Sequence, residues 1–310
     1  MEKSLTDFPD NVRVLEVDDF DESSFDPLEP IIIRGAVARA SNKWTDEWLL
    51  ERFGSDYCRV SLDSRPAVRG VQERQVSLEE YLDSLESSVD SDEPPEYLFH
   101  SQRDFEGALD LLEDLDVPTA ILDLGNPSLY RFFVGPPVSG TLPHFHTYAI
   151  NALTRGRKRW AIYVCDDRRE TNELLQESNI DYSSGSQASD WFALACPELR
   201  SRRRVRLWEF AQEAGDLVYI PAWFIHAVVN LEPVAGFTVE FQPQHSMRGP
   251  MGPRRPMGSR DPMGARRAMG PRDPMGAWPP MGPRDPIGAR RAMGTRRPIG
   301  ARGPRGANNE

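Results

Sequence analysis

The segments RFFVGPPVSGTLPHFH, residues 131–146, and GDLVYIPAWFIHAVVN, residues 215–230, decide how this chain is interpreted. They contain three of its five histidines, His144, His146 and His226. Residues two apart on a β-strand point to the same face, so His144 and His146 can reach one ion. A third histidine from a distant strand would leave other coordination positions open, as an oxygenase or a hydrolytic metal requires. The alternative is three unrelated core or surface histidines.

Short apolar runs alternate with turn residues after Pro118, and this pattern indicates an antiparallel barrel or sandwich. Residues 166–212 are polar and are expected to form a long excursion with some helix, inserted between strands. The predicted strands are Ala120–Leu122, Arg131–Val134, Ala149–Leu153, Arg159–Val164, Asp216–Ile220, His226–Leu231 and Phe237–Phe241.

The sequence before Pro118 predicts one buried strand at Ile31–Ile33 and several helices. Three helices are expected: one capped by Thr45 and ended by Gly54, one opened by a capping box of Ser77 and Glu80 with Val76 and Tyr81 as its hydrophobic staple, and an acidic one over residues 105–115.

Charge is distributed unevenly along the 310 residues. From Met247 onward there are fourteen Arg against three Asp and one Glu, a formal charge of +10. Subtracting this from the net −11 of the chain leaves −21 for residues 1–246. An acidic body argues against direct nucleic-acid binding by the domain, because phosphate contacts need Lys and Arg.

Three cysteines, Cys58, Cys165 and Cys196, are far apart in the sequence and odd in number. Neither a disulfide framework nor a cysteine zinc site is expected from them. The first residues, MEKSLTD, contain no apolar signal region, and no run approaches eighteen apolar residues. We therefore expect no membrane association and a cytoplasmic or nuclear location.

The C-terminal segment is a hexapeptide repeat that begins MGPRRP-MGSRDP-MGARRA at Met251. Glycine every six residues differs from the every-third glycine of collagen. A left-handed β-helix also uses hexapeptides, but nearly every turn here would carry Pro and Arg and bury little. Disorder is the prediction for residues 247–310, with electrostatic binding to acidic surfaces of the chain itself or of a partner.

Residues 131–164 and 215–230 resemble JmjC (cupin-like) domains, and the resemblance extends from about Pro27 to Gln242. It is strongest to the small JmjC-only proteins, which resemble protein hydroxylases. The resemblance implies a mainly β fold, a double-stranded β-helix jelly roll, with N-terminal helices. It also implies Fe(II) bound by an H-x-D/E…H motif, with 2-oxoglutarate as cosubstrate. The expected division is an N-terminal lead over 1–26, the domain over 27–246 and the tail over 247–310.

The resemblance further implies a pocket for 2-oxoglutarate. Lys158, within GRKRW, matches the lysine that pairs with the distal carboxylate, and a buried dianion needs such a cation. The alternative for Lys158 is a solvated charge in a basic turn. The remaining positions implied for the pocket are Thr238, Asn151 and Tyr97 as hydrogen-bonding residues, Thr141 three residues before the first ligand, and Asn230 four residues past the last.

The chain departs from the family pattern at His146, where Asp or Glu is usual. Three neutral histidines leave Fe(II) at +2 until a dianion arrives, and they equally suit Zn(II) with a water. A subgroup of JmjC-only proteins is similar in placing an aromatic residue between two histidines; the members compared are lumenal and carry a signal sequence.

Three functions follow from these patterns. The first is a 2-oxoglutarate-dependent dioxygenase that hydroxylates a side chain of a protein substrate, with a basic substrate favoured by the acidic body. The second is a catalytically impaired binding or scaffold protein. The third is a zinc or iron cupin that does not use 2-oxoglutarate. Histone demethylation is less expected than hydroxylation, because no chromatin-targeting module accompanies the domain.

Overall fold

A computed structural model describes residues 5–61, 73–87, 95–101, 111–180 and 187–243 of the chain, and the structural statements below concern these residues. The helix expected over residues 105–115 lies mostly outside them. The repeat over 247–310 lies wholly outside them.

Strands make up most of the regular structure. They are β1 (Arg13–Glu16), β2 (Ile31–Arg34), β3 (Tyr57–Ser61), β4 (Glu73–Ser77), β5 (Tyr97–Ser101), β6 (Gly125–Gly135), β7 (Gly140–His144), β8 (Ala149–Arg155), β9 (Arg157–Cys165), β10 (Val205–Glu213), β11 (Leu217–Ile220), β12 (Ile225–Asn230) and β13 (Val234–Pro243). The helices are α1 (Ala38–Lys43), α2 (Asp46–Phe53), α3 (Leu78–Ser87), α4 (Thr119–Leu122), α5 (Arg168–Ile180), α6 (Ala188–Leu194) and α7 (Cys196–Leu199), with 3-10 turns at Val17–Asp19 and Glu22–Ser24. Among the described residues, no helix is long and apolar enough to span a bilayer.

Strands β6 to β13 alternate between two sheets in chain order, except that β9 and β10 are consecutive neighbours in the same sheet. One sheet contains the order β11-β8-β13-β6, and the other is β10-β9-β12-β7. The pairs within these eight strands are antiparallel, which is the connectivity of a jelly roll. The predicted fold class is therefore confirmed. Strands β1, β2, β5, β3 and β4 extend the first sheet at its two edges.

Local capping chemistry was predicted correctly for two helices. The Thr45 side chain accepts a hydrogen bond from the Trp48 N–H at 3.2 Å, and α2 ends at Gly54. Ser77 and Glu80 cap each other reciprocally, with Glu80 N–H to Ser77 Oγ at 3.1 Å and Ser77 N–H to the Glu80 carboxylate at 3.0 Å. These caps satisfy amide groups that a helix start leaves without partners.

Two segment predictions were wrong. Residues 120–122 belong to helix α4 and do not form a strand. The Glu22 carboxylate accepts hydrogen bonds from the N–H groups of Thr119 and Ala120 at 3.1 and 2.6 Å, so a distant residue caps this helix. The excursion over 166–212 does contain helices α5, α6 and α7, but it ends in strand β10. That strand buries Glu209 and Gln212, whose polarity concealed it.

Buried charges attach the N-terminal segment to the second sheet. The Glu209 carboxylate accepts hydrogen bonds from Arg159 at 2.6 Å and from Arg200 at 2.6 and 3.0 Å. Arg159 also donates to the Leu5 carbonyl at 3.0 Å, and the Asn11 side chain accepts from the Glu209 N–H at 2.8 Å. Because Glu209 and Arg159 side chains are wholly buried, each charge depends on the other for compensation.

Replacing Glu209 by Gln should lower the free energy of unfolding by about 3–5 kcal/mol, because it leaves the Arg159 charge buried without a counter-ion. Glu173→Gln, which breaks the exposed pair with Arg169, is the control and should change it by less than about 0.5 kcal/mol. Urea unfolding measures both.

The loss should also depend on pH. Burial alone would raise the pKa of Glu209, but hydrogen bonds from Arg200 and Arg159 hold it below its usual 4.5. A depressed carboxyl pKa contributes stability that is present above the unfolded pKa and disappears as pH falls through the folded pKa. The difference between wild type and Glu209→Gln should therefore shrink below about pH 4.5. A pH-independent difference would contradict an ionic role.

Candidate metal centre and cosubstrate pocket

Three imidazoles converge at one end of the jelly roll. His226 on β12 lies opposite His144, the last residue of β7, and His146 follows two residues later. The candidate ligand atoms of the three residues all lie within 4.8 Å of one another. Because β7 ends at His144, strand alternation does not place His146 as the sequence suggested. Instead the His146 carbonyl accepts a hydrogen bond from the Trp223 N–H at 2.8 Å, which ties it to the loop before β12.

Backbone carbonyls orient each imidazole. Nδ1 lies 2.9 Å from the Leu142 carbonyl in His144, 2.7 Å from the Thr147 carbonyl in His146, and 3.1 Å from the Phe224 carbonyl in His226. A carbonyl oxygen only accepts, so each Nδ1 carries the proton. The Nε2 lone pairs remain available, which is the tautomer that a metal ligand needs.

Burial keeps two of these imidazoles neutral. It is the largest cause that lowers the pKa of His146 to about 3, followed by the neighbouring His144. Burial also lowers the pKa of His226 well below 6.5, followed by the effect of His146. The positive charge of Arg131 adds to both shifts. At neutral pH His146 and His226 therefore offer uncharged nitrogen donors to a divalent cation.

Lys158 lies inside the same barrel and is only 1% exposed, which excludes the solvated-turn interpretation. It pairs with Asn230 across β9 and β12, four residues from the level of His226. Its Nζ lies 3.2 Å from the Tyr97 hydroxyl and 3.3 Å from the centroid of the Phe133 ring. No carboxylate among the described residues forms an ion pair with it, and burial lowers its pKa well below 10.5. A buried amine without a counter-ion is costly, so the pocket is suited to an anion.

The other predicted pocket residues are buried polar residues on strands of the two sheets. The Asn151 amide donates to the Thr238 hydroxyl at 2.8 Å, across the β8–β13 pair. The Asn230 amide donates to the Ser139 hydroxyl at 2.8 Å. Oδ1 of Asn151 and Oδ1 of Asn230 are buried and have no hydrogen-bond partner among the described residues. Thr141 is buried on β7 opposite Val228.

Sequence reasoning missed an ion pair in this interior. Arg131 on β6 lies opposite Thr238, and its guanidinium pairs with Glu240, two residues further along β13. The signal was available, because residues two apart on a strand share a face. Because Thr238 was assigned to the pocket, Glu240, two residues further along the same strand, could have been assigned to it as well. Trp223 was also missed; its φ of +68° is unusual for a bulky side chain and gave no signal in the sequence.

The fold and this site together define a jelly-roll protein with an internal three-histidine cluster. Residues 18–243 match the cupin-like domain family. The chain therefore belongs to that family.

Relatives of the chain are JmjC proteins, which confirms the resemblance noted in the sequence. It is 29% identical over 248 residues to lysine-specific demethylase JMJ21 of Arabidopsis thaliana, covering 74% of this chain and 25% of that protein. It is 24% identical over 212 residues to JmjC domain-containing protein 8 of Mus musculus, covering 66% of the chain and 71% of that protein. It is 24% identical over 273 residues to 2-oxoglutarate and iron-dependent oxygenase JMJD4 of Gallus gallus, covering 73% and 58%. The chain spans 25% and 45% of the two plant demethylases that it matches.

The cluster should bind one divalent ion per chain. We expect His226→Ala to weaken Co(II) binding by more than the ~10–100-fold typical of changes outside the ligand set, because it removes a donor. His245→Ala, a histidine outside the cluster, is the control and should leave binding unchanged. Titration followed by calorimetry and by Co(II) visible absorption measures this. Equal affinity in wild type and His226→Ala would show that the three residues do not form a metal site.

Proposed function

We propose that this chain is an Fe(II)- and 2-oxoglutarate-dependent dioxygenase that hydroxylates a side chain of a protein substrate. The observation that carries the proposal is the buried Lys158 amine, which lacks a carboxylate partner among the described residues and shares its barrel with three clustered imidazoles. His144, His146 and His226 would hold the iron. Bound iron and 2-oxoglutarate would supply the oxidising chemistry, and the protein would position both.

A five-carbon dicarboxylate matches the spacing of Lys158 and the histidine cluster along the barrel. Lys158 is four residues along β9 from Ile162, which pairs with His226. Four residues of strand correspond to about 13 Å. An extended lysine side chain and 2-oxoglutarate together bridge that distance, so one carboxylate can reach the ammonium group while the other end reaches the metal.

The pocket also fits in its hydrogen bonding. A half-turn of the Asn151 amide lets the Thr238 hydroxyl donate to Oδ1, which otherwise lacks a partner among the described residues. The same turn directs the amide N–H groups toward the interior, where a carboxylate can accept them. Tyr97, Thr141 and Asn230 would complete the polar lining. An apolar molecule would leave these groups unsatisfied, so the lining favours an anionic ligand.

The residues of the site restrict the identity of the metal less than they restrict the identity of the cosubstrate. Three imidazoles suit Zn(II) with water as well as Fe(II). The anion pocket beside the cluster favours the oxygenase, because a hydrolytic zinc site has no need of a buried lysine at this distance. The relative named as a 2-oxoglutarate and iron-dependent oxygenase supports the same choice.

A protein substrate is supported by the relatives named as lysine- and arginine-specific demethylases. The formal charge of −21 over residues 1–246 favours a basic segment of that substrate. The same charge disfavours direct contact between the domain of residues 27–246 and nucleic acid. We place the protein in the cytoplasm or nucleus, with residues 247–310 binding acidic surfaces.

A second function is a catalytically impaired scaffold, and His146 is the observation that favours it. Where the family motif has a carboxylate, this chain has an imidazole, so the metal keeps a larger positive charge. Turnover gained in His146→Asp would favour the scaffold. Loss of metal in that variant would favour a native three-histidine site.

The central test is anaerobic binding of Fe(II) and 2-oxoglutarate, followed by succinate formation after oxygen is admitted. Lys158→Met should weaken 2-oxoglutarate binding about 10–100-fold, the effect of losing a charged hydrogen bond. Lys43→Met, which removes a surface lysine paired with Asp114, should have no effect. Binding without succinate, even with basic peptides present, would favour the scaffold.

Binding of 2-oxoglutarate should also take up a proton. Burial lowers the pKa of Lys158 in the ligand-free protein, and a bound dianion raises it again. Above the ligand-free pKa the amine must therefore be protonated on binding, and affinity falls as pH rises. Calorimetry in buffers of different ionisation enthalpy counts this proton. An uptake that persists in Lys158→Met would assign the proton to another group.

A further inference from the structure

The ion pair of Arg131 and Glu240 lies inside the barrel although neither residue belongs to the metal cluster. The two side chains are only 14% and 12% exposed. Register places Arg131 opposite Thr238 and places Glu240 two residues beyond Thr238 on the same face of β13. Both charges therefore line the pocket that contains the Asn151–Thr238 hydrogen bond.

Arg131 lies between the lysine and the imidazoles. Phe133, whose ring contacts the Lys158 amine, follows Arg131 by two residues, about 7 Å, on the same face of β6. In the opposite direction, Glu240 pairs with Ala149, close to the end of the barrel where His146 lies.

An aromatic stack supports both cations. The rings of Phe99 and Phe133 are stacked with centroids 6.3 Å apart. The Lys158 amine lies 3.3 Å from the Phe133 centroid, and the Arg131 guanidinium lies 5.3 Å from the Phe99 centroid. Ring faces attract cations, so the stack holds two positive groups at separate points of one pocket.

Strand register places the ion pair on the histidine side of Phe133, with Glu240 opposite Ala149. A divalent ion on three imidazoles would keep its charge of +2, so an anion between that ion and the guanidinium would be attracted to both. Among the described residues, Glu240 is the only hydrogen-bond partner of the Arg131 guanidinium, which leaves further N–H donors for such an anion.

We propose that Arg131 binds the carboxylate at the metal end of the 2-oxo acid pocket, and that Glu240 holds the guanidinium in place before the anion arrives. This inference rests on the proposed function and adds a second cation to it. Lys158 takes the distal carboxylate, and Arg131 takes the carboxylate next to the oxo group. The planar guanidinium suits a carboxylate through two parallel hydrogen bonds.

The test measures binding of two ligands to the Mn(II)-loaded full chain by calorimetry. 2-Oxoglutarate has both carboxylates, whereas 2-oxobutyrate, measured by displacement of 2-oxoglutarate, lacks the distal one. Arg131→Gln should weaken both ligands about 10–100-fold. Lys158→Met should weaken only 2-oxoglutarate. Arg155→Gln, which breaks the ion pair with Asp46, is the matched control and should leave both affinities within about twofold.

The variant Glu240→Gln distinguishes a direct role of Arg131 in ligand binding from a purely structural role of the ion pair. If the ion pair only braces the strands, Glu240→Gln and Arg131→Gln must lose affinity in parallel. If Arg131 binds the anion directly, Glu240→Gln keeps the cation and should lose much less affinity than Arg131→Gln. Arg131→Lys is the second variant in case Arg131→Gln does not fold. It keeps the positive charge but cannot form two parallel hydrogen bonds to a carboxylate, so an intermediate affinity is expected.

Two results would overturn the inference in distinguishable ways. Unchanged binding of both ligands by Arg131→Gln, with wild type binding normally, would remove Arg131 from the pocket and leave the proposed function intact. Failure of the wild-type Mn(II) protein to bind 2-oxoglutarate would overturn the proposed function and this inference together.

Discussion

A primary amine inside a β-barrel costs free energy unless an anion shares its surroundings, and this constraint governs the interior of the protein. Lys158 is buried on a central strand of the second sheet, beside aromatic rings and a hydroxyl. Packing alone would favour an apolar residue there. Two of the neighbouring imidazoles are neutral for the same reason that the amine is destabilised, namely burial. Burial therefore makes the histidine end of the pocket suited to a cation and the lysine end suited to an anion.

Backbone geometry positions the lysine and the imidazoles inside the barrel. Strand register sets Lys158 four residues from the level of His226, and main-chain carbonyls fix the tautomer of each imidazole. Trp223 adopts a left-handed backbone conformation that costs about 1–3 kcal/mol in a bulky residue. Its N–H holds the His146 carbonyl, and its indole packs edge-on against Phe145 and under the Arg168 guanidinium. These contacts offset the strain and fix the one histidine that lies beyond the strand.

Short-range chemistry could be predicted from the sequence, and long-range partners could not. Helix caps at Thr45 and Ser77 depend on residues three positions away, so the sequence displays them. Helix α4 depends on the Glu22 carboxylate, 97 residues distant along the chain, and only the fold brings the two together. The three histidines that converge could be singled out because their residue type is rare and their spacing is specific, whereas Lys158 was assigned from the family resemblance. The Arg131–Glu240 pair was missed because each charge alone resembles an exposed strand residue.

This chain has His146 where the family motif has a carboxylate. The residues that would hold the metal therefore carry no negative charge, and a bound anion would have to supply it. In an H-x-D/E site the protein itself offsets part of the metal charge, so metal can bind before any cosubstrate. Here the Glu240 carboxylate is engaged by Arg131. If metal and dianion bind as proposed, they would neutralise each other, and each would strengthen the binding of the other by the same factor, as linkage requires. The metal occupancy of such a site would then follow the supply of the keto acid.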